Sequence, residues 1–246
     1  KGLLGLIPQR AQRRAPVQSL RVRHPPLHAR CGGVLRLQRH LWQDGEDLLL
    51  GGEGNDTING GAGNDEIKAD AGDDVINGGF GRNIINAGEG NNTITVVGSS
   101  DRVDAGAGDD TVTITSGHNS MLYLGDGDNT ITSNADVSFR IFETGAGNDT
   151  VTIKHNVSNG GDLGAGNDTL VVEGRVGDVR GNDTGKDKWI FAGDGDDTIT
   201  LKGGLQRQSE SEGRYSSHSW DTYVDAGAGD DVVKFEGADM TYGGVK

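Results

Sequence analysis

The chain has 246 residues, of which 43 are glycine and only 5% are aromatic. Large side chains are therefore too scarce for a thick globular core, and the glycines lack the every-third-residue period of collagen. The net charge of −14 is unevenly distributed, because nine of the 23 basic residues and none of the 37 acidic ones lie in residues 1–43. From residue 44 onward the composition favours a thin solenoid of repeats or a disordered polymer.

The first 43 residues form a basic segment rich in Pro and Arg, which holds all four prolines and the single cysteine, Cys31. One cysteine excludes an intramolecular disulfide framework, and no apolar run in the chain is long enough to span a membrane. We expect this segment to lie outside the fold. Because Arg21, Arg30 and Arg39 recur at nine-residue intervals, one interpretation is a shifted-frame translation of further repeats. A genuine linker and a nucleic-acid-binding segment are the alternatives.

Residues 44–95 carry a regular nine-residue repeat. Each unit contains glycines, then an Asp or Asn, then an aliphatic residue two places further on, as in "GGEGNDTIN" at 51–59. A strict short period predicts a repeat architecture in which each unit buries its apolar side only against its neighbours. The aligned Asp and Asn residues are Asp47, Asp56, Asp65, Asp74, Asn83 and Asn92.

Residues 96–246 repeat the same turn at longer steps of 18 to 20 residues, followed by steps of 29 and 34. Eighteen is twice nine, so one motif in two is lost, and plain polar turns such as "SGHNS" and "SNADVS" take its place. The two longest steps contain polar insertions, residues 173–188 and 203–218. The turns of this part carry Asp110, Asn129, Asp149, Asp168, Asp197 and Asp231.

The spacing predicts an all-β fold for residues 44–246, a right-handed parallel β-roll or β-solenoid of stacked 18–20-residue coils. Each coil would contain two short strands and two turns, so that motifs one coil apart stack on the same edge. One edge would carry Asp47, Asp65 and Asn83, and the other the remaining nine motif residues. Alternating strands such as "TVTIT" predict inward-facing apolar ladders. The first ladder would contain Val112, Ile114, Val151, Ile153, Leu170, Val172, Ile199 and Leu201. The facing ladder would contain Val103, Leu122, Phe142, Ile190 and Val224, with Gly161 as a break in the row.

The motif turns place one carboxylate beside several glycines, whose backbone carbonyl groups are free to converge. Coils stack about 4.8 Å apart, and carboxylates at that spacing repel one another unless a cation lies between them. Ligation by oxygen alone favours Ca²⁺ over Mg²⁺, and turns without His or Cys argue against zinc or copper. The alternative is a solenoid whose acidic side chains only hydrogen-bond their own loops, as in Asx-turns.

The segments "GGEGNDTIN" at 51–59 and "GGAGNDEIK" at 60–68 match the pattern G-G-x-G-x-D-x-U-x, where U is a large aliphatic residue. Residues 44–246 therefore resemble the RTX, or hemolysin-type, calcium-binding nonapeptide-repeat family. The resemblance implies Ca²⁺ bound between successive turns of one edge, with about ten ions as the ceiling. It also implies that Asn83, Asn92 and Asn129 are uncharged and weaker ligands. The implied charged ligands are Asp47, Asp56, Asp65, Asp74, Asp110, Asp149, Asp168, Asp197 and Asp231.

The predicted function is that of a calcium-binding repeat domain of a secreted bacterial protein, which folds on binding Ca²⁺ after export by a type I secretion system. The chain contains no H-E-x-x-H and no G-x-S-x-G motif, so we expect no catalytic residues in this region. The alternative is the solenoid part of an exported enzyme (a protease, lipase or alginate epimerase) or of a surface adhesin or toxin. The expected partners are calcium ions and the secretion machinery, without nucleic acid. Contact with a cell surface or polysaccharide would come through the parent protein.

Overall fold

The computed structural model describes residues 39–41, 45–116, 120–137, 139–157, 161–176, 188–203, 222–236 and 244–245. These ranges contain no helix, and hence none that could cross a membrane. Their strands all lie in one compact unit, residues 35–246. The strands are β1 Arg39–Leu41, β2 Leu48–Glu53, β3 Thr57–Asn59, β4 Glu66–Ala71, β5 Val75–Asn77, β6 Ile84–Asn86, β7 Thr93–Val96, β8 Arg102–Asp104, β9 Thr111–Ile114, β10 Ser120–Tyr123, β11 Thr130–Ser133, β12 Phe139–Glu143, β13 Thr150–Ile153, β14 Thr169–Val172, β15 Lys188–Phe191, β16 Thr198–Leu201, β17 Thr222–Asp225, β18 Val232–Phe235 and β19 Gly244–Val245.

The strands form two faces. Neighbouring strands within each face are parallel, and most successive strands along the chain lie on opposite faces. One face is a ten-stranded sheet in the order β1-β3-β5-β7-β9-β11-β13-β14-β16-β18. The other contains a six-stranded sheet, β12-β10-β8-β6-β4-β2, and a three-stranded sheet, β15-β17-β19. Bridges from Glu143 to Asp162 and from Asp162 to Phe191 connect these two sheets. The predicted all-β fold of stacked parallel coils is thus confirmed, whereas the right-handed winding stays a prediction.

The core consists of two facing ladders of aliphatic side chains. The parallel register aligns equivalent residues of successive coils, so that Val112 lies between Ile94 and Ile131. In β9, Val112 and Ile114 are buried and Thr111 is exposed, which is the alternation expected of a strand with one buried face. Every residue that the sequence assigns to the two inward ladders is at most 2% exposed, so both ladders are confirmed.

Gly161 interrupts the second ladder because the ring of Phe142, one coil earlier, occupies the space of its missing side chain. A Cβ added at Gly161 would overlap three atoms of that ring. Phe142 is itself only 2% exposed. The sequence shows the break in the ladder but gives no reason for it; the structure shows that one large side chain fills the core at two levels.

A third apolar ladder lies on the edge where the sequence pattern predicts only polar turns. Val137, Val157 and Val176 are joined by parallel bridges and are at most 3% exposed. Val137 belongs to the "SNADVS" turn. The prediction of a plain polar turn is therefore wrong at this position, because one inward-facing valine per coil closes the core at that corner.

The N-terminal boundary of the roll differs from the sequence-based expectation at three residues. Strand β1 lies inside segment 1–43, yet it pairs in parallel with β3, with Arg39 opposite Thr57. The boundary near residue 44 stays a prediction for the rest of that segment, since residues 1–38 lie outside the described ranges. Most of both predicted insertions, namely residues 177–187 of the first and 204–218 of the second, also lie outside them.

Candidate metal centre

The motif turns are tight loops in which most of the left-handed backbone positions are occupied by glycine. In the turn at 144–149, Gly145 has φ 95° and Gly147 has φ 141°, a region that glycine enters without steric penalty. A Cβ at either position would also overlap the carbonyl oxygen of the equivalent glycine of the preceding coil, Gly125 or Gly127. Successive turns are therefore stacked with backbone against backbone, and carbonyl oxygens face the next coil.

A continuous ladder of Asp and Asn side chains runs along the first edge of the roll. In each step the backbone N–H of one motif residue donates to Oδ1 of the motif residue one coil later, at 2.7 to 3.1 Å. The steps across the long connections are made in the same way, since Asp168 donates to Asp197 and Asp197 to Asp231. This first-edge ladder comprises Asp56, Asp74, Asn92, Asp110, Asn129, Asp149, Asp168, Asp197 and Asp231.

The second edge carries a shorter ladder of the same kind, and it contains one residue that lies outside the predicted motif set. Asp47, Asp65 and Asn83 stack as expected, and the Asn83 N–H then donates to Oδ1 of Asp101 at 2.6 Å. Asp101 is 1% exposed. The next aligned position is Ser120, which precedes Met121 as Asp101 precedes its partner Arg102, and it carries no carboxylate. The second-edge ladder is therefore Asp47, Asp65, Asn83 and Asp101.

An outer ladder of exposed Asp and Asn side chains accompanies the first-edge ladder, one residue earlier in each turn. It reaches in the opposite direction, since the Asp73 N–H donates to Oδ1 of Asn55 in the preceding coil. The distances along the ladder are 2.7 to 3.0 Å. The outer ladder is Asn55, Asp73, Asn91, Asp109, Asp128, Asn148, Asn167, Asp196 and Asp230. It satisfies backbone donors at the surface by bonds between coils, unlike an Asx-turn, whose bond lies within one loop.

The first-edge and second-edge ladders, whose side chains are mostly buried, contain carboxylate oxygens without hydrogen-bond partners. In seven of their Asp residues, Oδ1 accepts a backbone N–H whereas the buried Oδ2 has no partner. A buried polar atom without a partner costs about 1–3 kcal/mol, and more when it is charged. These residues are Asp65, Asp74, Asp101, Asp110, Asp149, Asp168 and Asp197.

The Asn residues of the same ladders provide an internal comparison. The two N–H groups of Asn129 Nδ2 are shared among the carbonyl oxygens of Gly125, Gly127 and Thr144, at 3.1, 3.0 and 3.0 Å. Because the coils share one register, the equivalent Asp side chains present an oxygen where Asn129 presents N–H groups. The contact that is missing at the Asp positions could therefore be supplied by a proton on the carboxyl group or by a cation.

Burial raises the pKa of these carboxyl groups above the ordinary value. Loss of hydration is the largest cause, and it raises the pKa of Asp168 to about 7 and those of Asp74, Asp101 and Asp110 to about 6. For Asp168, the neighbouring charges of Asp149 and Asp197 raise the pKa further, against the lowering effect of the Asp149 backbone hydrogen bond. Without a cation, the stacked turns therefore favour protonated carboxyl groups at a pH where free Asp is ionised.

The donor set fits a hard cation such as Ca²⁺. Each turn offers carboxylate and carbonyl oxygens, which Ca²⁺ binds in flexible geometry. In the described part of the chain, no three His, Cys, Asp or Glu side chains group around one point. Each turn contributes only one buried carboxylate, so most ligands in such a site would be backbone carbonyl oxygens. All twelve motif residues predicted as ligands stand in the two ladders; their ligation of metal stays a prediction.

Comparison with known families agrees with this geometry. A family model described as "RTX calcium-binding nonapeptide repeat (4 copies)" matches residues 43–76, 62–94, 77–112, 87–121 and 189–204. Repeats of this kind are typical of secreted bacterial proteins. Comparisons with curated proteins and with solved structures give no match.

Proposed function

The chain contains repeats of the RTX calcium-binding nonapeptide-repeat family, in residues 43–121 and 189–204, and from this premise we propose that residues 44–246 form a Ca²⁺-dependent folding module of a secreted bacterial protein. In this proposal the ions bind between successive turns of each ladder. The aspartates supply carboxylate oxygens and the glycines supply carbonyl oxygens. Bound Ca²⁺ neutralises the stacked carboxylates and joins neighbouring coils.

The observation that supports this proposal most directly is the row of buried Oδ2 atoms without a partner. Asp149, Asp168 and Asp197 are each 1% exposed and belong to consecutive turns, so three negative charges would be buried along one edge. The thin core gains little from each coil, because a coil packs only against its two neighbours. Removal of the cations would therefore unfold the roll cooperatively, and metal binding and folding become one event.

Folding coupled to calcium would also control where the chain becomes compact. Extracellular calcium modules bind with Kd values of about 10⁻⁴–10⁻³ M. Cytosolic calcium is far below this range, and a chain with net charge −14 and 5% aromatic residues stays disordered when its charges are not neutralised. The module would thus be exported unfolded, by a type I secretion system, and would fold outside the cell. Its role in this proposal is structural, and any catalytic activity would belong to other parts of the parent protein.

Far-ultraviolet circular dichroism during a calcium titration tests the proposed function. We expect a change from coil to β-structure with a steep midpoint between sub-millimolar and millimolar calcium. Magnesium at the same concentrations is the control, and it should be much less effective because it retains its water ligands and demands an octahedral site. A β-spectrum that is the same in chelator and in calcium would contradict the proposal.

A further inference from the structure

The Asn and Asp residues of the first-edge and second-edge ladders differ in their contacts between coils, because the Asn side chains donate hydrogen bonds to carbonyl oxygens there. Asn129 is 1% exposed, and its amide nitrogen lies within 3.1 Å of three carbonyl oxygens. Gly125 and Gly127 belong to its own turn, whereas Thr144 begins the turn of the next coil. One amide group therefore links two coils through carbonyl oxygens of the kind that would otherwise ligate a cation.

The orientation of the Asn129 amide is fixed by the hydrogen-bond network. Oδ1 accepts the backbone N–H of Asp110 at 3.0 Å, so the NH₂ group must be on the side of the carbonyl oxygens. The reverse orientation would place the NH₂ group against the backbone N–H of Asp110, and Oδ1 against the carbonyl oxygens. The amide is thus an acceptor toward the preceding coil and a donor toward its own turn and the next.

The same arrangement occurs at Asn92 and, in reduced form, at Asn83. Asn92 Nδ2 donates to the carbonyl oxygens of Gly90 at 3.0 Å and Ala105 at 3.3 Å, and Ala105 begins the next turn of that edge. Asn83 Nδ2 donates to Gly79 O at 3.3 Å. The buried oxygens without partners in the ladders belong to Asp residues, as described above, and none belongs to these three Asn residues.

We propose that Asn92 and Asn129 act as built-in substitutes for a bound cation, so that the gaps they close do not take up Ca²⁺. The partial positive charge of the NH₂ group faces the same carbonyl oxygens as the ion would, at no cost in net charge. These gaps hold together without calcium and divide the first edge into separate groups of calcium sites. This inference rests on the proposed function and replaces the expectation that these Asn residues are weak ligands.

Counting the calcium ions bound per chain tests the inference. The full chain and its variants are dialysed to equilibrium against saturating radioactive calcium, after circular dichroism has shown that each is folded. Asn129→Asp should bind one more ion than the unchanged chain, because the substitution replaces the donor with a carboxylate oxygen. Asn92→Asp is a second, independent variant and should also add one ion. Asn91→Asp is the matched control: it adds the same charge on an exposed side chain of the outer ladder, and should add none.

Asn129→Ala separates a substitute from a weak ligand. Under the inference the number of bound ions is unchanged in this variant, whereas loss of a weak ligand would lower it by one. An unchanged count in both Asp variants, or a lower count in Asn129→Ala, would overturn the inference while calcium binding by the unchanged chain upheld the proposed function. If the unchanged chain bound no calcium at all, the proposed function would fail, and the inference with it.

Discussion

The ring of Phe142 fills the position of the absent side chain of Gly161, nineteen residues later and one coil further along the roll. Solenoid coils are commonly treated as equivalent units that differ only in their loops. Here two adjacent coils are complementary, since one supplies a large side chain and the other supplies none. The stability of these coils is therefore a property of the pair.

We expect Gly161→Ala to destabilise the calcium-loaded roll by about 1–3 kcal/mol, the usual cost of overpacking a core. Phe142→Leu alone should also destabilise it, because it leaves a cavity beside Gly161. In the double variant the added methyl group occupies part of that cavity, so the combined loss should be smaller than the sum of the two single losses. Chemical unfolding at fixed calcium measures this coupling in a double-mutant cycle. Strictly additive losses would show that the two residues do not share the space.

Substitutions of Asp149 separate the effect of its negative charge on folding from the effect of its hydrogen bonds. Asp149→Asn should remove one calcium ion per chain and should also make the roll form at lower calcium, since the amide can satisfy the carbonyl oxygens. Asp149→Ala should remove the same ion and lower the cooperativity of folding, since it uncouples neighbouring coils and leaves the Asn129 N–H without its acceptor. Calcium titrations followed by circular dichroism give both the midpoint and the steepness. Identical titration curves for the two variants would argue against a specific role of the amide.

Asp101 should be as important for the N-terminal coils as the motif residues, although its turn lacks the motif. Asp101→Ala would remove the acceptor of the Asn83 N–H, and we expect faster hydrogen exchange at Asn83 and in neighbouring coils. Glu89→Ala, a change of an exposed acidic residue in a motif turn, is the control and should leave exchange unaltered. Exchange measured by mass spectrometry on peptides around residues 79–95 would reveal the difference. Equal protection in both variants would count against a ladder role for Asp101.

The pH dependence of the calcium-free chain follows from the raised pKa values. Burial raises the pKa of Asp168 to about 7 and that of Asp74 to about 6, against about 4 for Asp in an unfolded chain. A carboxyl group with a raised pKa in the fold disfavours folding as the pH rises from about 4 to about 7, because ionisation is easier in the unfolded state. We therefore expect the chain in chelator to show more β-structure at pH 4.5 than at pH 7.5.

With calcium present the direction reverses, because protons compete with the metal for the same carboxylates. The calcium concentration at the folding midpoint should rise as the pH falls from 7 to 5. Circular dichroism measured across both series supplies the test. A chelated chain with less β-structure at pH 4.5 than at pH 7.5 would contradict the burial of these carboxyl groups.

Much of this fold could be predicted from the sequence because its period is strict and its side chains alternate. Val112 and Ile114 follow Asp110 at fixed positions, so their inward direction is determined once the strand is recognised. Asp101 was missed because Ser99 stands where the motif has glycine, and Ser100 instead adopts a positive φ of 64°. Its position 18 residues after Asn83, with Val103 two places further on, was the available signal.

Other features depend on contacts between coils and could not be predicted from one repeat unit. Asn129 has the same place in the motif as Asp110, and only the stacked structure shows that its amide donates to Thr144 O in the next coil. Val137 is bounded by polar residues in the sequence, and its burial becomes evident only when Val157 is aligned beside it. The sequence thus predicted which residues stack, but not which atoms of the stacked side chains find partners.

Small-angle X-ray scattering of one preparation, first in excess chelator and then in millimolar calcium, tests the central claim most directly. If cations between the turns are what allow the buried carboxylates to stack, the chelated chain should be expanded. Its radius of gyration should then fall roughly two- to three-fold on addition of calcium, as expected for the folding of a chain of this length. An equally small radius of gyration at neutral pH after exhaustive chelation would contradict the account, because the stacked aspartates would then be stable without a metal.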